Sequence, residues 1–111
     1  MAKYLFVYYA PMTANDAPPP DPAQMGAVMG EWNAWAAEVG SAMVDFGAPV
    51  NRGVRVTKNG TSPSTRQVSG YSILEAGDLD AALALTRNHP HLNLSGGYEV
   101  EVHEAQPLPG M

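Results

Sequence analysis

The order of predicted elements along the chain, β-α-β-β-(β)-α-β, predicts an α+β fold: a ferredoxin-like antiparallel sheet with two helices on one face. Residues 3–10 are apolar or aromatic on both alternating faces, which is typical of a strand covered on both sides. Residues 22–41 carry apolar side chains at spacings of three or four, which indicates an amphipathic helix. Because a large bare apolar face is rare on a monomer, we expect the free sheet face to meet a second copy, forming a homodimeric α+β barrel.

The amino-acid composition indicates a single folded domain and excludes several classes of site and partner. The chain has 111 residues, of which 45% are hydrophobic and 15% are charged, so we expect one folded domain over residues 1–105 followed by a proline-containing tail, 106–111. The absence of cysteine excludes disulfides and thiolate metal sites. A net charge of -5 argues against binding to nucleic acid or an anionic membrane, and no apolar run is long enough to cross a bilayer. We therefore expect a cytoplasmic protein.

The clearest local signal is the start of the first helix. Asp21 is a good N-cap, Pro22 suits the first helical position, and Gln24 completes a variant of the capping box. A second helix over 79–88 is expected to begin after Asp78 and to end before Pro90.

The remaining strands are predicted from the alternation of apolar and polar residues and from the turn residues between them. Gly70 inside a strand indicates a bulge or a close backbone approach, and Asn59-Gly60 indicates a tight turn. The expected strands after the first helix cover residues 41–50, 52–58, 67–76 and 98–103, with a loop at 61–64.

Several segments, taken in order, resemble the YCII-related family, also called DGPF-domain proteins. These segments are the Glu31-Trp32-x-x-Trp35 helix, Gly47-Ala48-Pro49, the strand from Gly70 to Ala76, Asp78-Leu79-Asp80, and Pro90-His91-Leu92. The resemblance covers residues 3–105 and implies a dimeric α+β barrel. The Asp-Gly-Pro-Phe segment is absent, and Gln24 stands where some members have a histidine, so a His–Asp mechanism does not carry over.

Two side chains are candidates for acid/base chemistry. His91 lies in the family-like segment and has an ordinary pKa close to neutrality, so it is the candidate proton carrier. Asp45 is an acidic residue within an apolar strand and is the candidate second carboxylate. The alternatives are structural: His91 would bind loop carbonyls, and Asp45 would form an ion pair or lie at an exposed strand end.

A second set of side chains could bind a ligand between the sheet and its covering. Ser69 and Tyr71 flank Gly70, Tyr8 lies on the first strand, and Arg55 could hold a carboxylate. Trp35 lies near the edge of the helix stripe and could border a pocket, whereas Trp32 is expected in the core. Ordinary packing remains the alternative for each of these residues.

No metal site and no cofactor are expected, because a metal site needs three or four converging ligands, and the chain has only three histidines, of which His103 lies on a different element. The preferred interpretation is a small-molecule-binding or accessory module. The alternative is a cofactor-independent enzyme, isomerase- or lyase-like, acting in a cleft of the barrel. The tail 106–111 could be a docking segment or a frayed end.

Overall fold

A computed structural model describes residues 1–12, 21–94 and 96–109. The fold is α+β: a four-stranded antiparallel sheet, two helices and a separate two-stranded hairpin. The elements in chain order are β1 Ala2–Ala10, α1 Pro22–Val39, β2 Met43–Asp45, β3 Val54–Thr57, β4 Gly60–Pro63, β5 Gln67–Ala76, α2 Leu79–Ala84 and β6 Glu99–Glu104. Short 3-10 turns cover Gly40–Ala42 and Pro90–Asn93. Most of the loop before α1, and the end of the predicted tail, lie outside the described residues.

The four strands lie in the order β2-β5-β1-β6, and every neighbouring pair is antiparallel. β1 therefore occupies the interior of the sheet between β5 and β6. The register shifts between Tyr8 and Tyr9, where Ser69 is the extra residue opposite β1. This bulge confirms the irregularity that Gly70 predicted.

One face of the sheet carries the core. Tyr4, Phe6 and Tyr8 on β1 are buried, as is Leu74 on β5. Trp35 of α1 and Ala82 of α2 belong to the same buried cluster, so both helices pack onto this face. Because side chains alternate along a strand, the residues between them, such as Leu5, point to the opposite face and are more exposed.

The predicted start of α1 is confirmed in detail. The Asp21 carboxylate accepts a hydrogen bond from the Gln24 N–H at 2.8 Å, and the Gln24 side chain accepts one from the Asp21 N–H at 3.0 Å. The helix ends at Val39 rather than 41, because Gly40 adopts a positive φ of 56° and a 3-10 turn follows.

Four other boundaries differ from the prediction. β2 is only three residues long, because the chain turns away at Gly47 with a φ of 79°. Residues 60–63, predicted as loop, form β4, and the hairpin turn lies at residues 58 and 59, one position earlier than expected. α2 ends at Ala84, and Asn88 with a φ of 57° redirects the chain before Pro90. Residues 90–93, which include predicted loop, form a 3-10 turn.

Candidate functional site

A cavity of about 390 Å³ lies on the helix-bearing side of the sheet. One wall is the N-terminal half of α1, and the opposite wall is the segment from Phe46 to Pro49 that follows β2. The floor is the end of the sheet that contains Tyr8 and Gly70. This volume falls within the range of small-molecule sites in proteins.

The lining is mostly aromatic and aliphatic. Its aromatic members come from five different parts of the chain, and half of its aliphatic members come from α1. The lining side chains of these two kinds are Tyr8, Trp32, Phe46, Tyr71 and Tyr98, together with Met25, Val28, Met29, Ala48, Pro49 and Leu94. The other lining residues are Gly47, Ser69, Gly70 and His91. No lysine, arginine, aspartate or glutamate is present among these lining residues.

Trp32, which lines the cavity, is the centre of an aromatic cluster. Its ring lies edge-on to Tyr8 at 5.2 Å and to His89 at 5.0 Å between centroids, and it contacts Phe46 at 6.1 Å. Edge-to-face contacts at these distances are favourable for aromatic rings. They hold the Trp32 ring in one orientation and give the cavity a rigid aromatic wall.

A buried chain of hydrogen bonds runs beneath this wall. The Tyr8 hydroxyl donates to Ser72 Oγ at 2.7 Å, and Ser72 Oγ donates to the Phe46 carbonyl at 2.7 Å. His89 Nε2 lies 3.1 Å from the Tyr8 hydroxyl, and His89 Nδ1 accepts from the backbone N–H of His91 at 3.1 Å. These hydrogen bonds therefore connect β1, β5 and the turn after α2 to the wall that follows β2.

The direction of this chain fixes the protonation state of His89. Since Nδ1 accepts a hydrogen bond, it carries no proton, so the neutral ring holds its proton on Nε2 and donates it to the Tyr8 oxygen. Burial lowers the pKa of His89 to about 4, with the nearby His91 as a smaller cause. Burial also raises the pKa of Tyr8 to about 12, although the bond to Ser72 opposes this effect. Both groups are uncharged at neutral pH.

His91 lines the cavity with its ring rather than with a free nitrogen. His91 Nε2 lies 2.8 Å from the Tyr9 carbonyl, which can only accept, so this nitrogen donates. Burial lowers the pKa of His91, and hydrogen bonds to the backbone of Tyr9 and Glu99 partly offset that effect. The ring also packs against Tyr8 and Tyr98, at 5.2 and 5.3 Å between centroids. His91 thus binds a carbonyl of strand β1 rather than the loop carbonyls of the structural alternative, and its ring forms part of the cavity wall.

The two tryptophans have the opposite of their expected positions. Trp35, predicted to border a pocket, is 2% exposed, and its Nε1 donates to the Leu85 carbonyl at 2.9 Å. Trp32, predicted as core, is half-buried and lines the cavity. Trp35, towards the C-terminal end of α1, packs against Phe6 in the core, whereas Trp32 and the residues before it on α1 form the cavity wall.

Asp45 and Arg55 lie away from the cavity. Asp45 is exposed, and its carboxylate accepts from the Gly47 N–H at 2.8 Å, which makes it a turn-forming residue. Arg55 lies on β3 of the exposed hairpin and is absent from the lining. The structure therefore does not bring Asp45 or Arg55 together with His91, because the turn after β2 and the projecting hairpin direct them elsewhere.

Ser69, Tyr71 and Tyr8 do line the cavity, as the sequence suggested. Ser69 Oγ, at the bulge, donates to the Tyr8 carbonyl at 3.2 Å. The wall after β2 approaches very closely here, since a Cβ at Gly47 would collide with the backbone carbonyl of Tyr71. Close approach therefore explains the glycine at this position.

The opposite sheet face carries a charged cluster. Glu101 on β6 accepts from Arg66 at 3.0 Å, from His103 at 3.0 Å and from the Tyr9 hydroxyl at 3.2 Å. Hydrogen bonds from His103 and Arg66 hold the pKa of Glu101 below its usual range. The Arg66 guanidinium lies 3.6 Å above the centroid of the Tyr9 ring. This cluster lies at the edge strand and is separate from the cavity.

Comparison with known proteins adds no family: no family model matches the chain, and no curated protein does. Within the described ranges, no helix is both long and apolar enough to cross a membrane. Across the same ranges, no three histidine, aspartate or glutamate residues are grouped so that they could hold a metal ion.

Sequence reasoning underestimated His89, Trp32 and Phe46. His89 is 1% exposed and caps the 3-10 turn at Pro90–Asn93. Its position directly before proline was a usable signal, because a residue before proline is extended and can act as an N-cap. No local pattern distinguishes a cavity-wall Phe46 from a strand residue.

Proposed function

We propose that this protein is a small-molecule-binding module whose ligand occupies the cavity between α1 and the sheet. The observation that carries this proposal is the cavity itself: about 390 Å³, walled by aromatic side chains and opening between α1 and the wall after β2. Few polar atoms face it, which is the usual composition of a site that buries an organic ligand.

For the fold, we propose the ferredoxin-like class and membership of the YCII-related family. The strand order β2-β5-β1-β6, with β3 and β4 set apart as a hairpin, supports the first proposal. The family proposal rests on the chain segments that resemble the YCII-related family. Three of these segments contribute to the cavity, through Trp32, His91 and the wall from Gly47 to Pro49.

We also propose a homodimer, formed through the sheet face that neither helix covers. Leu5 on that face is 38% exposed, and the molecule measures 44 × 43 × 19 Å, so it is a thin plate. A second copy related by a two-fold axis would bury this face. Sedimentation equilibrium of the wild type and of Leu5→Glu tests the proposal: the wild type should be dimeric and the variant monomeric, with Leu79→Glu on α2 as the control. A monomeric wild type at micromolar concentration would contradict it.

Acid/base catalysis by His91 remains the second candidate, supported by its place in the cavity wall. The geometry favours binding over catalysis, because His91 Nε2 is committed to the Tyr9 carbonyl and no described lining residue supplies a carboxylate. A general acid or base must reach a substrate proton within hydrogen-bond distance.

Native mass spectrometry of gently purified protein tests the binding proposal. We expect extra mass corresponding to an organic compound, lost when Met29 in the α1 wall is replaced by arginine. The matched control is Ala37→Arg, which places the same charge on an exposed position of α1 outside the lining. Retention of the compound by Met29→Arg, or its loss from both variants equally, would refute the assignment to this cavity.

A further inference from the structure

We infer that the ligand of this cavity is an uncharged, ring-bearing and largely apolar molecule, an inference that rests on the proposed binding function. The first argument is electrostatic. No described lining residue is ionised at neutral pH, because the lining contains no acidic or basic side chain besides His91, and burial keeps that ring neutral. A ligand carboxylate, phosphate or ammonium would leave water without gaining a counter-charge, which is costly.

The second argument concerns three polar side chains in the wall that are already hydrogen-bonded within the protein. The Tyr8 hydroxyl donates to Ser72, Ser69 Oγ donates to the Tyr8 carbonyl, and His91 Nε2 donates to the Tyr9 carbonyl. Among the described residues, no buried side-chain nitrogen or oxygen lacks a partner. These three donors are therefore already used within the protein and are not free to bind an anionic ligand.

The third argument is that two charged side chains outside the lining are engaged by other groups of the protein. The Arg66 guanidinium is engaged by Glu101 and by the Tyr9 ring on the opposite face of the sheet. Asp45, nearest in sequence to the Phe46 wall, is engaged by the Gly47 N–H. Neither supplies a counter-charge to a ligand, so the cavity selects against ions of either sign.

The shape of the wall indicates the ring-bearing character. Trp32, Tyr8, Phe46, His91 and Tyr98 present aromatic surfaces from several directions around one space. Planar rings stack or meet edge-to-face with such surfaces, and these contacts add to the gain from burying apolar area. Met25 and Met29, which are flexible and polarizable, form the adaptable side of the cavity.

The test uses three probes of nearly equal shape: naphthamide, naphthoate and naphthylmethylammonium. Calorimetric titration of the full chain at neutral pH and low salt should show naphthamide binding, with the two ions weaker by roughly tenfold or more because their charge is desolvated without compensation. Equal or tighter binding of either ion would overturn the charge inference while leaving the binding proposal intact. No binding by any of the three would overturn both.

A charge-introducing variant locates the effect. Met29→Lys places a cation in the α1 wall, and we expect it to improve naphthoate binding and weaken naphthylmethylammonium binding relative to the wild type. Ala37→Lys, on the same helix but outside the lining, should leave the ranking of the three probes unchanged. A circular dichroism melt of each variant verifies that the fold is retained. An unchanged ranking in Met29→Lys would show that the probes bind elsewhere, and would overturn the inference.

Discussion

Acidification should destabilise this protein through one buried histidine. His89 is 1% exposed, and its neutral form donates to the Tyr8 hydroxyl while accepting from the backbone N–H of His91. A proton added at Nδ1 would remove that acceptor and place a charge among the aromatic rings of Trp32 and Trp35. The folded state therefore resists protonation of His89 more than the unfolded chain does.

The magnitude follows from the displacement of the pKa. Burial lowers the pKa of His89 from 6.5 to about 4. At about 1.36 kcal/mol per unit, the full displacement corresponds to roughly 3 kcal/mol, of which about 2 kcal/mol is lost by pH 5. Because the unfolded chain binds the proton first, the free energy of unfolding is highest above pH 6.5. The free energy of unfolding falls as the pH drops towards 4, and the contribution of His89 changes little below pH 4.

Urea denaturation at a series of pH values between 7 and 4 measures this loss. His89→Asn is the informative variant, because an asparagine oxygen can still accept the His91 N–H but the side chain does not titrate. We expect the variant to be less stable at pH 7, since the bond to Tyr8 is lost, yet to lose about 2 kcal/mol less than the wild type on going to pH 5. The difference between the two curves removes the contribution of groups common to both proteins, including His91.

Ala37→Asn is the control, since Ala37 is exposed on α1, so the same asparagine there should leave the pH dependence of the wild type unchanged. Parallel curves for the wild type and His89→Asn, agreeing within about 0.5 kcal/mol over this range, would refute a buried neutral His89.

Three further substitutions test the structure. Gly47→Ala should lower the free energy of unfolding, measured in urea, by about 1–3 kcal/mol or more, because the residue has a positive φ and its new Cβ would collide with Tyr71. Gly26→Ala is the control: its new Cβ has no neighbouring atom, so this variant should raise the free energy of unfolding by up to about 1 kcal/mol. Tyr8→Phe should cost about 1–3 kcal/mol by leaving the His89 donor unpaired, and equal stability would exclude the buried chain of hydrogen bonds. Asp21→Ala should cost about 1 kcal/mol by urea denaturation, with Asp21→Ser restoring most of it; a neutral alanine variant would contradict the cap.

The sequence by itself determined the features that depend on neighbours in the chain. The capping box at Asp21 and Gln24, the strand at residues 67–76 and the bulge near Gly70 match the structure, because each is fixed by backbone donors, alternation or the absence of a side chain. The α+β class followed from the order of these elements. Ser69, Tyr71 and Tyr8 lie beside one cavity because two adjacent strands carry them.

Only the tertiary structure decided which side of a helix is core and which side faces a cavity. Trp32 and Trp35 are three positions apart on α1, so periodicity places both near one stripe. In the folded protein Trp35 is buried against Phe6, whereas Trp32 lines the cavity. The site residue His89 is joined to Tyr8 across 81 positions of sequence. Hydrogen bonds between such distant residues depend on strand pairing and packing, which no local sequence window records.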